Sequence, residues 1–210
     1  NIVNNTPVKK IELGSVVSKK IYPQFNDSIE LYHYCFKNHN HITPYLLIPN
    51  SKMQDIALFN NISNMSFITS VSNEFQKKNI NMSLSETKDE IKKMINNTKG
   101  FKKLYISCVH ECPLSGSLDS YTIANEIIEY LDLPVNEICL SDTCGTLTKD
   151  ILESIFNLLL PVMIIKNIPI SKLSLHLHIN KNSAETDKII KYCISEYMFN
   201  FDVSYICLLY

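Results

Sequence analysis

Lys172-Leu-Ser-Leu-His-Leu-His-Ile-Asn180 alternates apolar and polar side chains along its length. Successive side chains of a strand point to opposite faces. The period therefore puts Ser174, His176, His178 and Asn180 on one face, and Leu173, Leu175, Leu177 and Ile179 on the other. Two imidazoles on one strand face can grip one divalent metal. A surface strand that carries two histidines by chance has the same pattern, and the alternation alone does not separate the two.

Upstream of this strand, apolar strand-like runs alternate with amphipathic helix-like runs. The strand-like runs are residues 10–17, 43–48, 65–71, 104–109 and 137–140, then the histidine strand, then 202–209. Helix-like runs cover 28–36, 51–60, 119–131, 149–160 and 184–197. A further helix starts at Ser83-Leu-Ser-Glu86, a capping box in which serine and glutamate satisfy free backbone N–H groups, with Ile91, Met94 and Ile95 as its apolar stripe. Thr148 is placed to cap the helix that follows it. Seven strands alternating with helices, without an internal repeat or a linker, predict a parallel sheet with right-handed crossovers in a single domain over residues 1–210.

Two architectures satisfy that series, a doubly wound sheet and a (β/α)8 barrel. A dinucleotide-binding doubly wound sheet carries a glycine-rich first turn. The chain has only four glycines, none in G-x-G-x-x-G or P-loop spacing, so the TIM-type barrel is preferred. Barrel chemistry sits at the C-terminal ends of the strands. His176 and His178 fall at such an end, as do Asp142 and residues 12–15.

Composition narrows the classes of function. A length of 210 residues, a hydrophobic fraction of 45% and a charged fraction of 20% suit one ordinary globular core. Twenty basic against 21 acidic residues leave a formal net charge of −1, which predicts neither a nucleic-acid partner nor a membrane-surface partner. No apolar run approaches a membrane span; the richest, around residues 155–165, is interrupted by Asn157 and Pro161. Seven cysteines and no secretory signal predict reduced thiols in a soluble intracellular protein. Cys108 and Cys112 are spaced C-x3-C but lack a second pair of zinc-finger spacing. The first residue is Asn1, which predicts a processed form or a fragment.

Three blocks, read together, carry a resemblance. The first is Ile11-Glu-Leu-Gly-Ser-Val-Val-Ser-Lys-Lys-Ile-Tyr-Pro-Gln-Phe-Asn-Asp27. The second runs from Ser72-Asn-Glu-Phe-Gln-Lys-Lys-Asn-Ile-Asn-Met-Ser83 to Tyr105-Ile-Ser-Cys-Val-His-Glu-Cys-Pro113. The third is Glu137-Ile-Cys-Leu-Ser-Asp-Thr-Cys-Gly145 followed by His176-Leu-His178. In order and spacing they resemble the hydroxymethylglutaryl-CoA lyases, metal-dependent TIM-barrel enzymes. The resemblance implies cleavage of 3-hydroxy-3-methylglutaryl-CoA to acetyl-CoA and acetoacetate, a divalent Mg²⁺ or Mn²⁺ cofactor and an acyl-CoA substrate. It also implies a possible homodimer, and a mitochondrial-matrix or cytoplasmic location. It makes His176 and His178 metal ligands, Asp142 and Glu12 catalytic acidic residues, and Ser15 and Tyr105 neighbours of the substrate. Read without it, Asp142 could begin an Asx-type turn, Glu12 could pair with a lysine, and Tyr105 could be a core aromatic.

The chain also departs from that family. The family's first strand carries an Arg-Asp pair, of which the Asp binds metal and the Arg stabilises the enolate; residues 1–10 resemble the stretch just after it. The family's Asp after the histidine pair is Ile179 here. The Gly-rich loop with the family's catalytic cysteine and the later metal-binding Asn lie past Tyr210, and Cys207 does not replace that cysteine. Two of the family's four metal ligands are present, and two imidazoles alone rarely hold Mg²⁺. The expectation is a barrel lacking its first strand and C-terminal catalytic loop, with activity near background in the 210-residue form. The alternative is a degenerate, inactive relative that binds a CoA ester or a protein.

Overall fold

The computed structural model describes residues 8–178 and 183–203. Its elements are β1 (Lys10–Ser15), α1 (Ser28–Asn38), β2 (Thr43–Leu47), α2 (Ser51–Phe59), β3 (Met65–Ser70), α3 (Asn73–Ile80), α4 (Leu84–Asn97) and β4 (Lys102–Ser107). There follow β5 (Glu111–Cys112), β6 (Gly116–Ser117), α5 (Ser120–Ile128), β7 (Glu137–Asp142), α6 (Lys149–Ile165), β8 (Leu173–Leu177), α7 (Ser183–Ser195) and β9 (Phe201–Asp202). The main sheet is ordered β1-β2-β3-β4-β7-β8-β9, which is chain order throughout. Strand pairs β1–β2, β2–β3, β7–β8 and β8–β9 are parallel. A doubly wound sheet reverses its order at a switch point. This order never reverses, which agrees with the barrel expectation and not with the doubly wound one.

The described residues pack as two compact units, one within 8–68 and 89–103, the other within 69–88 and 104–203. In the first, the buried Gln54 of α2 donates to the Met94 carbonyl at 2.7 Å and to Thr98 Oγ1 at 3.0 Å. This amide ties α2 to the end of α4 and satisfies its own burial cost. In the second unit, Ile138 and Leu140 of β7 and Leu173 and Leu175 of β8 are fully buried, as are Ile123, Ile127, Leu152, Ile155, Phe156 and Leu159 of α5 and α6. Leu173 and Leu175 lie on the apolar face that the strand period marks out.

The capping residues behave as their types require. Ser83 and Glu86 exchange backbone and side-chain bonds at the start of α4. Thr148 Oγ1 accepts from Ile151 N at 3.3 Å. Other features were not legible. α3 is capped by Ser72, whose hydroxyl accepts from Phe75 N, in a stretch that has no apolar stripe. β7 continues through Ser141 and Asp142, two residues past the strand-like run 137–140. α6 runs past Pro161 to Ile165; its buried face of Leu152, Ile155, Phe156, Leu159 and Met163 outweighs the one backbone bond that proline removes. Ile179, Asn180 and most of the expected last strand, residues 204–209, lie outside the described residues. Among the described residues no helix is long and apolar enough to cross a membrane.

Candidate active site

In the second unit, β7 and β8 run side by side with Ser141 opposite His176 and Asp142 opposite Leu177. Chain alternation then carries His178 onto the His176 face, one residue past the strand. The two imidazole rings lie edge to face, 5.0 Å apart and inclined at 81°. His178 Nδ1 sits 3.0 Å from the Thr143 carbonyl oxygen. A carbonyl can only accept, so Nδ1 carries the proton and donates it. The neutral ring then offers Nε2 as its lone-pair atom. A backbone carbonyl holding one ring nitrogen is the usual arrangement behind a histidine that ligates metal through the other.

Thr143 is itself fixed. Its hydroxyl accepts from Cys108 N at 2.8 Å, and Val109 N donates to the Ser141 carbonyl at 3.1 Å, so the ends of β4 and β7 are tied together. Gly145 turns the loop at φ +68°, a backbone conformation that favours glycine, and a Cβ there would meet the Cβ and carbonyl of His178 at 3.4 Å, an ordinary contact.

Asp142 is 2% exposed. One carboxylate oxygen accepts from Thr146 N at 3.1 Å and the other from Leu147 N at 3.3 Å. Burial pushes its pKa up, against the opposing pull of those two N–H groups and of nearby His178. The turn that the bare residues allowed is present, and Asp142 organises the loop that holds the His178 ring. Each oxygen retains a lone pair beyond its N–H partner.

Tyr105 is half-buried on β4. The remaining expected site residues lie in the first unit. Glu12 on β1 is exposed and accepts the Ser66 hydroxyl at 2.7 Å. Register between β1 and β2 slips after Glu12, where Gly14 at φ +134° sits so close to Ser28 that a side chain would collide with its hydroxyl. Past that irregularity the buried Ser15 donates its hydroxyl to the Leu47 carbonyl at 3.0 Å, which leaves only lone pairs for any further partner.

A group to which sequence reasoning gave no role is Cys112, beside the turn of the β5–β6 hairpin and 1% exposed. Burial raises its thiol pKa, but bonds from the Ser115 and Ser72 hydroxyls and from the Leu114 and Ser115 amides outweigh burial and bring it down to about 7. Cys108, four residues earlier, is pushed up to about 12 by burial. The C-x3-C spacing was visible in the sequence; the serine that comes from a different element was not. Cys108 and His110 both take positive φ, 63° and 94°, without being glycine, which marks this loop as held by its surroundings.

Two imidazoles share one face with a defined free-electron nitrogen on His178, which fits a metal. Among the described residues no three His, Cys, Asp or Glu side chains already enclose a common point.

Comparison with known proteins then supplies a family. Mitochondrial hydroxymethylglutaryl-CoA lyase of Macaca fascicularis is 28% identical over 181 residues, 85% of this chain and 54% of its own. The HMG-CoA lyase of Brucella melitensis superposes with a TM-score of 0.83 at 25% identity, over 97% of this chain and 70% of that one. This chain resembles the hydroxymethylglutaryl-CoA lyases in both sequence and fold. The fold is accordingly of the α/β TIM-barrel type. An HMG-CoA lyase from Acinetobacter baumannii, solved in complex with coenzyme A and 3-methylmalate, shares the fold with a TM-score of 0.81 at 22% identity, over 97% of this chain and 65% of that one. No family model matches the chain. The chain spans about half the length of the curated relatives it matches, 54% of the macaque lyase.

Proposed function

We propose that this protein belongs to a carbon–carbon lyase that cleaves 3-hydroxy-3-methylglutaryl-CoA to acetyl-CoA and acetoacetate. The observation that carries the reading is the His176–His178 pair on one face at the end of β8, in a chain similar to HMG-CoA lyases over 85% of its length. His176 and His178 are the residues that would hold a divalent Mg²⁺ or Mn²⁺ ion. Such an ion, when bound, polarises the oxygens of a hydroxy-acid substrate and makes its tertiary alcohol more acidic.

The protein's own groups then have distinct tasks. Thr143 fixes the His178 ring through Nδ1 and keeps Nε2 directed away from the backbone. Asp142 serves as the proton acceptor; its buried carboxyl, raised above the ordinary range, is closer to the pH at which a base must work. Loss of the alcohol proton lets the C–C bond break, leaving acetoacetate and the enolate of acetyl-CoA, which must be reprotonated. The family resemblance assigns Tyr105 and Ser15 to the neighbourhood of the substrate and makes Glu12 a second acidic residue. The substrate partner is an acyl-CoA, consistent with the coenzyme A held by the A. baumannii lyase. No observation favours the alternative of an inactive relative that binds a CoA ester or a protein.

The gene product, given 3-hydroxy-3-methylglutaryl-CoA and Mg²⁺ or Mn²⁺, is expected to release acetoacetate. His176→Ala is expected to reduce the rate to background with folding retained by circular dichroism. An unchanged rate in His176→Ala, or release that is indifferent to chelation of the metal, would show that the histidine pair does not carry the chemistry.

A further inference from the structure

We propose that Cys112 is a peroxide-reactive thiol and that Cys108 is the partner that resolves it as a reversible disulfide. The pair lies outside the chemistry of the proposed lyase reaction.

Chain geometry makes the pair. β4 ends at Ser107 and the chain turns at once, with Cys108 at φ 63° and His110 at φ 94°. Neither residue is glycine, so the surroundings hold this turn against its strain. Cys108 N donates to Thr143 Oγ1 at 2.8 Å, and Leu118 N donates to the His110 carbonyl at 2.7 Å. The turn brings Cys112 back to Cys108, and the Cys108 thiol hydrogen-bonds to the Cys112 sulfur. Both cysteines are free.

The two sulfurs have opposite surroundings. Cys112 Sγ accepts from Leu114 N at 3.4 Å. The Ser72 and Ser115 hydroxyls, 3.4 Å apart, stand against the same sulfur, and the Ser115 amide joins them. Ser72 has one hydroxyl proton, for which Glu74 Oε2 at 3.2 Å competes. Donors converging on a sulfur favour its anion, and here they outweigh burial. Cys108 is fully buried, and burial keeps it a thiol. A thiolate beside a protonated thiol divides the work as a dithiol redox pair requires: one sulfur attacks and the other resolves. A third thiol, Cys144, donates to the Glu111 carbonyl at 3.4 Å, and burial raises its pKa.

Burial also selects the oxidant. Cys112 is 1% exposed, which leaves no path for a bulky disulfide. Hydrogen peroxide is scarcely larger than water. The hairpin beside the thiol is held by two residue pairs, Glu111 with Ser117 and Cys112 with Gly116. So short a two-stranded hairpin opens locally at little cost. The Cys112 thiolate attacks one peroxide oxygen; the O–O bond breaks, an S–O bond forms, and the departing hydroxide takes a proton to become water. Cys108 sulfur then attacks Cys112 sulfur. The S–O bond breaks, the S–S bond forms, and the departing hydroxide takes the Cys108 proton. The two thiols lose two electrons and the peroxide becomes two waters.

The reduced, folded protein treated with equimolar hydrogen peroxide, followed by intact mass and peptide mapping, tests the pair. The expected product has lost two hydrogens, carries a Cys108–Cys112 link and regains its mass on reduction with dithiothreitol. Cys108→Ser is expected to stop at the Cys112 sulfenic acid, which dimedone traps. Cys112→Ser is expected to slow oxidation of Cys108 at least about tenfold, because the thiolate is the nucleophile. A link from Cys112 to Cys144 would overturn the role of Cys108, as would sulfinic acid at Cys112 without any link. Cys112 left intact while Cys144 is oxidised would overturn the role of Cys112, as would undiminished oxidation of Cys108 in Cys112→Ser. Mapping of the wild-type chain reads the pair directly, so the outcome stands even where a variant fails to fold.

Discussion

His178 shows how much a single bond decides. On His178 the Thr143 carbonyl at 3.0 Å fixes which ring nitrogen carries the proton. That bond could not be read from the chain, because Thr143 and His178 belong to different elements. Cys112 has the same character: its low thiol pKa depends on Ser72, at the start of α3, as well as on its own hairpin. The Cys112 thiol lies at about 7 against an ordinary 9.0. A group whose folded value is depressed stabilises the fold fully above its unfolded value, and that stability is lost as pH falls through the folded value. Thermal stability should therefore rise between about pH 7 and 9 by a contribution that Cys112→Ser removes, bounded at about 3 kcal/mol. Matched wild-type and Cys112→Ser melts across that range check this, and parallel pH profiles would contradict it.

At the scale of elements, local chemistry set the helix starts. The Thr148 hydroxyl satisfies the Ile151 amide at the head of α6, and α6 leads directly from the loop that Asp142 organises. Thr148→Ala should cost about 1 kcal/mol in denaturant unfolding. A change well below half that value would mean that packing of the apolar face, not the cap, fixes this end of α6. Capping residues and apolar stripes were legible in the sequence because both act within one turn of chain. The extension of β7 to Asp142 was not, since Ser141 and Asp142 are polar. They remain in strand because Ser141 and Asp142 pair with His176 and Leu177 of β8. α3 and the β5–β6 hairpin were missed for a related reason. Neither has an apolar period, and each is fixed by bonds to residues elsewhere in the chain.

At the scale of the molecule, the strand series alone separated two architectures once the glycine spacing was considered, and the observed order β1-β2-β3-β4-β7-β8-β9 agrees with the choice. The parallel series brings residues remote in sequence, Ser141, His176 and Asp202, into one row. The most direct test is to identify the products formed from 3-hydroxy-3-methylglutaryl-CoA by mass spectrometry, with Mn²⁺ present. Acetyl-CoA and acetoacetate in equal amounts are predicted; free CoA with 3-hydroxy-3-methylglutarate, or unchanged substrate, would contradict a carbon–carbon lyase.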